Sequence, residues 1–363
     1  MRKLIAIGLG HVWEEFYAQT LAKLENLKVV ELSGTVDAAV SGPFAEGFPR
    51  ANWHVSRVQD IPQRFREPDV VPMILTPDHY RVIEEVAELG FKNIFCEKPL
   101  VSRPSEVEKV EALIARHNLK LYAADFYLAK ALGLRVIRGL LTPTDPRYAW
   151  LAISDPAMDF GSVLGEIEGV GVQVIEAGDF GLPDITGRPY LATNKDIGGM
   201  ILDLVTHVCG PLYQARLLEE WSVLDASLSR LSGLTAGHLV GIRNVACEVE
   251  MYVTALLAAQ GIPVQLAFGK VPIANGGLWS LEIRGSRGAY YSGLRSNQLS
   301  ALIGDDGRTA TFALKIATYE LVVREALLYF DGLLPSFDGN YGAFAASMKV
   351  GQAILRKYQE NLP

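Results

Sequence analysis

Apolar runs alternate with amphipathic stretches through the first third of the chain. The apolar runs have the length and composition of strands that are buried on both faces. The predicted strands cover residues 3–7, 28–36, 53–55, 69–75, 91–96 and 120–124. Helical spacing of apolar residues predicts helices over 14–24, 80–89 and 102–117. Strands that alternate with helices in this way predict a doubly wound parallel sheet, the Rossmann arrangement of an α/β protein.

The remaining two thirds of the chain have a different pattern. Runs with mixed or alternating β character, several of them separated by glycine turns, are followed by two helical stretches. The β runs cover 219–228, 245–256, 264–268, 278–283 and 309–314, and the helices 319–330 and 341–358. Strands followed by helices predict an α+β domain with a large, mostly antiparallel sheet. We therefore expect a dinucleotide-binding domain over 1–124 and a substrate-binding and oligomerisation domain over 125–363.

Composition narrows the possible classes of protein. A chain of 363 residues is too long for one ordinary core, which agrees with two domains. With 49% hydrophobic and 21% charged residues the chain has the balance of a soluble globular protein. The net charge of -7, without a basic run, argues against nucleic acid as a partner. Apolar runs too short for a signal peptide or a membrane span, and three widely spaced cysteines, favour the cytoplasm and no membrane partner.

A glycine turn follows the first predicted strand. Its sequence is Gly8-Leu9-Gly10-His11-Val12-Trp13. Gly8 permits a tight turn and Gly10 lets the backbone approach a pyrophosphate, while the N-terminus of the helix that follows the turn offers N–H groups to the anion. Trp13 stands where the third glycine of the dinucleotide fingerprint normally lies, a position that serves helix–strand packing. An ordinary tight turn between a strand and a helix remains the alternative.

An acidic residue ends the second predicted strand. Asp37 falls about where a carboxylate that binds the ribose of a dinucleotide should follow the glycine turn. Such a carboxylate would bond the 2′-hydroxyl and repel a 2′-phosphate, and Ala38-Ala39 offers no basic side chain. This pattern favours NAD over NADP. The alternative is an acid that simply begins the next turn.

The fourth and fifth predicted strands also end in groups that suit a ligand site. The fourth leads into Thr76-Pro77-Asp78-His79, in which Asp78 can cap the next helix, and the fifth into Cys96-Glu97-Lys98-Pro99-Leu100. Open α/β sheets bind ligands at the carboxyl ends of their strands. The alternative is that Glu97 and Lys98 are solvated turn residues.

One stretch in the second domain carries further candidates. Two glycines, Gly198 and Gly199, lead into an apolar helical pattern in which Asp203 and His207 lie four residues apart. That spacing places both side chains on one helix face. Polar groups on so apolar a helix need a partner or a cleft. A capped acid and a satisfied core histidine would explain the same pattern.

Taken together, these motifs resemble the glucose-fructose oxidoreductase / inositol dehydrogenase / MocA family of nicotinamide-dependent oxidoreductases. The resemblance is strong in the first third and at 196–207, and the Glu-Lys-Pro element is the family's signature. It implies that Lys98, Asp203 and His207 form the catalytic set and also touch the substrate. It implies that the crossover at Tyr127 lines the substrate pocket, although the arginine many relatives carry there is absent. The cofactor-binding residues would be Gly8, Gly10, His11, Val12, Asp37, Thr76, Pro77, His79, Glu97 and Lys98.

The resemblance implies a function. We expect hydride transfer between NAD(H) and a hydroxyl or keto carbon of a polyhydroxylated substrate such as a sugar, a cyclitol or a sugar derivative, with no metal. A reductase of a non-sugar carbonyl or imine is the alternative within the enzymes, and an NAD-binding sensor or scaffold without turnover is the alternative outside them. In the family the open face of the second sheet pairs subunits, so a homo-oligomer, a dimer or tetramer, is expected.

Overall fold

The computed structural model describes residues 1–37, 51–76, 78–101, 103, 105–125, 131–177, 199–229, 250–271, 277–293, 300–334 and 341–362. The chain divides into two compact units, one of residues 1–126 with 318–342 and the other of 127–317 with 343–363.

The strands form two sheets, one in each unit. In the first unit they are β1 Arg2–Ile7, β2 Val30–Val36, β3 His54–Val55, β4 Val70–Ile74, β5 Asn93–Glu97 and β6 Lys120–Ala124. In the second they are β7 Leu151–Ile153, β8 Ile167–Ala177, β9 Trp221–Ser229, β10 Tyr252–Ala259, β11 Ile262–Val271, β12 Leu278–Gly285, β13 Gly288–Gly293, β14 Ser300–Gly304 and β15 Thr309–Leu314.

The helices are distributed over both units. A π-helical turn, Trp13–Tyr17, precedes α1 Ala18–Asn26, and α2 His79–Glu88, α3 Glu106–His117, α4 Leu132–Ile137, α5 Phe160–Leu164, α6 Met200–Gln214, α7 Thr318–Phe330 and α8 Tyr341–Glu360 follow. Short 3₁₀ turns lie at Val58–Asp60, Gln63–Phe65 and Pro146–Tyr148.

The first sheet has the order β3-β2-β1-β4-β5-β6, and all its strands are parallel. All five residues of β4 are buried, as expected for a strand covered on both faces. All six strands predicted from the sequence are present, which confirms the doubly wound parallel sheet. Strand order reverses beside β1, the place where such sheets bind ligands at the carboxyl ends of their strands.

Helix α7 belongs to the first unit, although the sequence places it with the second domain. The Lys120 side chain at the start of β6 donates to the Phe330 carbonyl at the end of α7, at 3.0 Å. The Tyr319 ring stacks on Phe16 with a centroid distance of 4.5 Å. The first unit therefore includes a segment that follows the strands of the second sheet in the sequence. The boundary at 124/125 stays a prediction.

The second sheet has nine strands in the order β7-β15-β14-β13-β12-β8-β11-β10-β9. Only β8 and β11 run parallel among its described pairs, so the predicted mostly antiparallel sheet is confirmed. Helix α6 packs on β8, β10 and β11. Helix α8 comes close to α6, because a Cβ on Gly351 would lie 2.6 Å from the Ile201 side chain. One face of the sheet is thus buried under helices.

Candidate active site

The glycine turn begins with a residue that only glycine suits. Gly8 has φ +91°, in the left-handed region, and its N–H donates to the Val36 carbonyl at 2.9 Å. A Cβ at Gly8 would lie 2.7 Å from the Thr76 backbone nitrogen. The absent side chain therefore allows the ends of β1 and β4 to approach each other. This contact places Thr76 beside the turn.

The second glycine of the turn has open space in front of it. A Cβ built on Gly10 would meet no atom of the described residues within 4 Å. Gly10 and His11 are exposed, and the helical segment begins at His11. The first N–H groups of a helix have no partner within it and form its positive end. The turn therefore has room and donors for a pyrophosphate, as the predicted role of Gly10, His11 and Val12 requires.

Asp37 comes to the same turn from the end of β2. Its Oδ2 accepts a hydrogen bond from the Leu9 N–H at 2.6 Å. Leu9 is 97% buried while Asp37 is half-buried, so the carboxylate is held at the edge of the turn rather than pointing into bulk solvent. A carboxylate at this place is the group that binds the ribose in dinucleotide-binding sheets.

The position of the missing third glycine is occupied by a buried indole. Trp13 is fully buried and begins the π-helical turn that ends at Tyr17, which is also fully buried. The turn brings the Tyr17 hydroxyl to the end of β5, where it donates to Glu97 Oε1 at 2.5 Å. The segment after the glycine turn is therefore tied to the Glu-Lys-Pro element of the sequence.

Glu97 links Tyr17 to the backbone of Lys98. Its second oxygen, Oε2, accepts from the Lys98 N–H at 3.0 Å. Burial raises the pKa of the Glu97 carboxyl to about 7, against opposing contributions from the Tyr17 hydrogen bond and from Lys98. Burial and the neighbouring Glu97 raise the pKa of Tyr17 well above its ordinary value. The Tyr17 hydroxyl therefore stays protonated and remains a donor.

His79 holds the other side of the same element. The Lys98–Pro99 peptide bond is cis, and the Pro99 carbonyl lies 2.5 Å from His79 Nδ1. A carbonyl can only accept, so Nδ1 carries the proton. Burial lowers the pKa of His79 to about 4, although the bond to Pro99 opposes this shift. Between about pH 4 and 7, His79 and Glu97 are thus both uncharged, and they hold Lys98 between them through hydrogen bonds.

The other candidates lie on α6 in the second unit. Asp203 and His207 are each 99% buried, one turn apart on the helix. Just before the helix, Gly199 has φ +101°, and a Cβ there would overlap the Glu250 carboxylate. Glu250 Oε1 accepts from the Ile201 N–H at 3.2 Å and so caps the first turn of α6. The positive φ favours glycine at this position, and the missing Cβ leaves room for the capping carboxylate.

Asp203 is paired with a lysine from the sheet. Lys270 Nζ lies 3.0 Å from Asp203 Oδ2 and 3.3 Å from Glu176 Oε2. Lys270 on β11 and Glu176 on β8 are direct partners in the parallel register. The lysine side chain is 13% exposed and the glutamate side chain 27% exposed. An ion triad therefore runs from the buried face of α6 to the partly exposed carboxyl ends of two strands.

The structure thus brings several predicted residues together within each unit. In the first unit, Gly8 meets Thr76, Asp37 meets the glycine turn, and Glu97 and His79 hold the Lys98–Pro99 pair. Pro77 and Tyr127 lie outside the described residues. The predicted cap by Asp78 is wrong: its side chain makes no cap bond and accepts instead from Arg81, at 2.7 Å.

Four residues at these sites were missed by reasoning from the sequence: Tyr17, Glu176, Glu250 and Lys270. Tyr17 reads as an ordinary aromatic of the first helix, and its contact to Glu97 spans 80 positions. Lys270 follows the apolar run of β11 and Glu176 a run of alternating valines in β8. Charge at the ends of these strands was the signal that could have found them.

No three His, Cys, Asp or Glu side chains among the described residues are grouped so as to hold a metal ion. None of the described helices combines the length and the apolar character that crossing a membrane requires.

The first third of the chain matches a known protein family. Residues 2–125 match the family model described as "Oxidoreductase family, NAD-binding Rossmann fold", GFO_IDH_MocA. The matched segment contains the glycine turn, Asp37 and the Glu97-Lys98-Pro99 element. No curated protein sequence matches the chain.

Solved structures resemble the whole chain. Levoglucosan dehydrogenase in complex with NADH and levoglucosan has a TM-score of 0.70 at 18% identity, over 99% of this chain and 97% of that one. An oxidoreductase from Agrobacterium radiobacter with NAD+, L-tartaric acid and magnesium has a TM-score of 0.69 at 15% identity, over 99% and 97%. A 3-ketoreductase from Actinomadura kijaniata with NADP and TDP-benzene has a TM-score of 0.69 at 16% identity, over 98% and 97%.

Identities this low establish the fold alone, whereas the family match covers the first domain. The predicted NAD-binding Rossmann domain is confirmed by that match. Residues 2–125 thus match the NAD-binding Rossmann domain of the GFO/IDH/MocA oxidoreductase family, and along its whole length the chain has the fold of the oxidoreductases just named.

Proposed function

We propose that the protein is an oxidoreductase that transfers a hydride between NAD(H) and a hydroxyl or keto carbon of a sugar, a cyclitol or a sugar derivative. One observation carries the proposal. Lys98 stands directly after Glu97, the last residue of β5. The Glu97 carboxylate accepts from the Lys98 backbone N–H, and His79 holds the following residue by donating to the Pro99 carbonyl. Hydrogen bonds to the backbone on both sides of Lys98, at the ligand-binding edge of a Rossmann sheet, favour a catalytic role for this lysine over that of a solvated turn residue.

The residues of the glycine turn suit NAD. The open space at Gly10 and the helix start at His11 and Val12 would receive the pyrophosphate. Asp37, held at the turn by the Leu9 N–H, would bond the ribose hydroxyls and repel a 2′-phosphate, which supports NAD over NADP. When bound, the nicotinamide accepts or gives the hydride.

The reaction needs a base, a cation near the developing alkoxide and fixed geometry. His207 is the proposed base, because imidazole exchanges protons near neutral pH. Lys98 is the proposed cation: its ammonium would stabilise negative charge on the reacting oxygen. Asp203, one turn before His207 on α6, would orient the imidazole or hold a neighbouring hydroxyl. In the reverse direction the same groups would protonate and stabilise the oxygen of a ketone.

The substrate class is inferred from the resemblance and from what similar structures contain. Levoglucosan and L-tartaric acid, bound by two of them, are hydroxylated molecules, and a third is a 3-ketoreductase. These ligands belong to those proteins, and their shared hydroxyl or keto carbon supports the same class here. A reductase of a non-sugar carbonyl or imine remains the alternative within the enzymes.

We also propose a homo-oligomer formed through the open face of the second sheet, in a protein of the cytoplasm. Three large apolar side chains on one face of adjacent strands are exposed: Leu278 at 55%, Tyr291 at 45% and Ile303 at 45%. A subunit partner would cover them. Light scattering of the purified chain should give a dimer or tetramer, and a mass of one chain across a wide range of concentration would refute this part.

The test of the activity is a panel of sugars, cyclitols and their keto derivatives, followed at the nicotinamide absorbance with NAD and NADP in parallel. NADH binding is measured separately by fluorescence titration. Lys98→Ala and His207→Ala should each abolish turnover and leave most of the NADH affinity. A chain that binds no NADH would refute every NAD-dependent function, whereas binding without turnover on the whole panel would favour the carbonyl or imine reductase or the sensor.

A further inference from the structure

The strongest unassigned cluster is the ion triad of the second unit. Resting on the proposed function, we propose that Lys270 is a positioning residue of the active site: it keeps Asp203 ionised and fixed, and acts on the reaction through that carboxylate. Lys270 lies on β11 of the second unit, outside the glycine turn and the Glu97-Lys98-Pro99 element.

The burial of Asp203 makes a partner necessary. Its side chain is 99% buried, so water cannot solvate the charge. A buried carboxylate without a cation takes up a proton or disrupts its surroundings, because the uncompensated charge is costly. Lys270 Nζ at 3.0 Å supplies that cation. The ionised form of Asp203 therefore depends on a residue 67 positions further along the chain.

The sheet holds Lys270 where this contact needs it. Lys270 is the second-last residue of β11, directly opposite Glu176 on β8, whose carboxylate lies 3.3 Å from the ammonium. The glutamate draws the lysine toward the strand ends, and Asp203 draws it toward α6. With an anchor on each side, the ammonium cannot turn away without losing a charged contact.

The charged and titratable groups around Asp203 define the balance that Lys270 sets. Helix α6 itself contributes His207, β8 contributes Glu176, and the segment before β10 contributes Glu250, which caps the helix start. Two of these three groups are carboxylates, and among the described ion pairs Lys270 is the cation in contact with Asp203. Without it, the negative groups would favour protonation of Asp203.

This balance matters for the proposed base. When His207 takes the substrate proton it becomes a cation, and an ionised Asp203 one turn away on the same helix stabilises that cation. A protonated Asp203 would not. Loss of the lysine charge should therefore weaken proton transfer, most strongly at lower pH where the unpaired carboxyl is protonated.

The experiment compares Lys270→Gln, which removes the charge, with Lys270→Arg, which keeps it. Lys315→Gln is the matched control, because Lys315 is exposed in the same unit and its side chain donates to the Ala149 backbone carbonyl, at 3.4 Å. For Lys270→Gln we expect kcat to fall by about tenfold to a hundredfold with the acidic limb of the kcat profile moved to higher pH. Lys270→Arg should restore most of kcat and the original limb, and NADH affinity should be unchanged in all three.

The outcomes separate the two proposals. Wild-type protein that turns over no substrate in the panel would sink the proposed function, independently of Lys270. Active wild type with a folded Lys270→Gln variant of unchanged kcat and unchanged pH profile would overturn the positioning role alone. If Lys270→Gln does not fold, Lys270→Arg decides the question: most of the wild-type kcat with the original acidic limb supports the role of the charge at Asp203, and a lost kcat or a moved limb overturns it. If neither variant folds, Lys270 is a structural ion partner only and the proposal fails.

Discussion

The Lys98 element of the first unit and helix α6 of the second position their polar groups by different physical means. Around Lys98, a buried tyrosine, a glutamate with its pKa raised to about 7 and a neutral histidine form hydrogen bonds. On α6, Asp203 is held by an ion pair and the helix start by the carboxylate of Glu250. The arrangement around Lys98 depends on the protonation states of Glu97 and His79, whereas the arrangement on α6 depends on the attraction between Lys270 and Asp203.

The difference follows from what each place has to hold. Lys98 is half-buried and itself carries the charge the proposed chemistry uses, so uncharged neighbours leave that charge available. Asp203 is fully buried and would be unstable as an anion without a cation beside it. Uncharged hydrogen-bonding neighbours therefore suit Lys98, whose charge the proposed reaction uses, and a charged neighbour suits the buried anion Asp203.

The largest effect should come from breaking the charged anchor of α6 with Gly199→Ala. The methyl group would overlap the Glu250 carboxylate, and alanine disfavours φ +101°. We expect the free energy of unfolding to fall by about 3 to 4 kcal/mol in chemical denaturation. Gly10→Ala is the control: its methyl group meets no described atom, so stability should hold while NADH affinity falls. A Gly199→Ala variant within about 1 kcal/mol of wild type would contradict the cap.

The next effect tests the neutral anchor at His79. Because its pKa falls from 6.5 to about 4 on folding, the native state prefers the neutral ring. This stability is present above about pH 6.5 and is lost as the pH falls toward 4, by about 2 to 3 kcal/mol. His79→Asn retains a donor near Nδ1 but cannot titrate, so its stability should depend less on pH in this window. Parallel pH profiles of unfolding free energy for the two proteins would refute the assignment.

Glu97 should have a pH dependence of the opposite sign. Its pKa rises from 4.5 to about 7 on folding, so the native state prefers the protonated carboxyl. Its contribution is present below about pH 4.5 and is lost as the pH rises through 7. Because the side chain is partly reached by solvent, we expect about 1 to 2 kcal/mol. Glu97→Gln should remove this dependence, and a variant that keeps the wild-type slope would show that another group titrates.

The smallest effect should follow Tyr17→Phe, which removes only the hydroxyl that donates to Glu97. We expect about 1 kcal/mol less stability, the usual contribution of one hydrogen bond. Loss of this donor should also move the Glu97 titration to higher pH, since the Tyr17 bond lowers its pKa. Denaturation at several pH values measures both effects, and Tyr80→Phe, which removes a hydroxyl that donates to Glu84 at 3.2 Å, is the matched control. An unchanged Glu97 titration would mean that Tyr17 does not hold that carboxyl.

Local sequence patterns predicted most of the strands and the glycine turn of the first unit. Continuous apolar runs predicted the parallel strands other than the short, partly exposed β3, because such strands are buried on both faces, and Gly8 predicted a turn that suits glycine. In the second unit, β8 was not predicted, although its buried Val170, Val172 and Val174 alternate with less buried positions. Glycines within that run, at 169 and 171, weakened the pattern, since glycine has low strand propensity.

By itself, the sequence determined the two kinds of sheet, the glycine turn and the residue types at the strand ends, because these depend on periodicity and on neighbours a few positions apart. Only the tertiary structure decided that Tyr17 bonds Glu97, that His79 holds Pro99 and that Lys270 neutralises Asp203. The first two contacts join residues 80 and 20 positions apart. Such pairs form when buried polar groups find partners as the strands pack, and no local pattern records which partner each one finds.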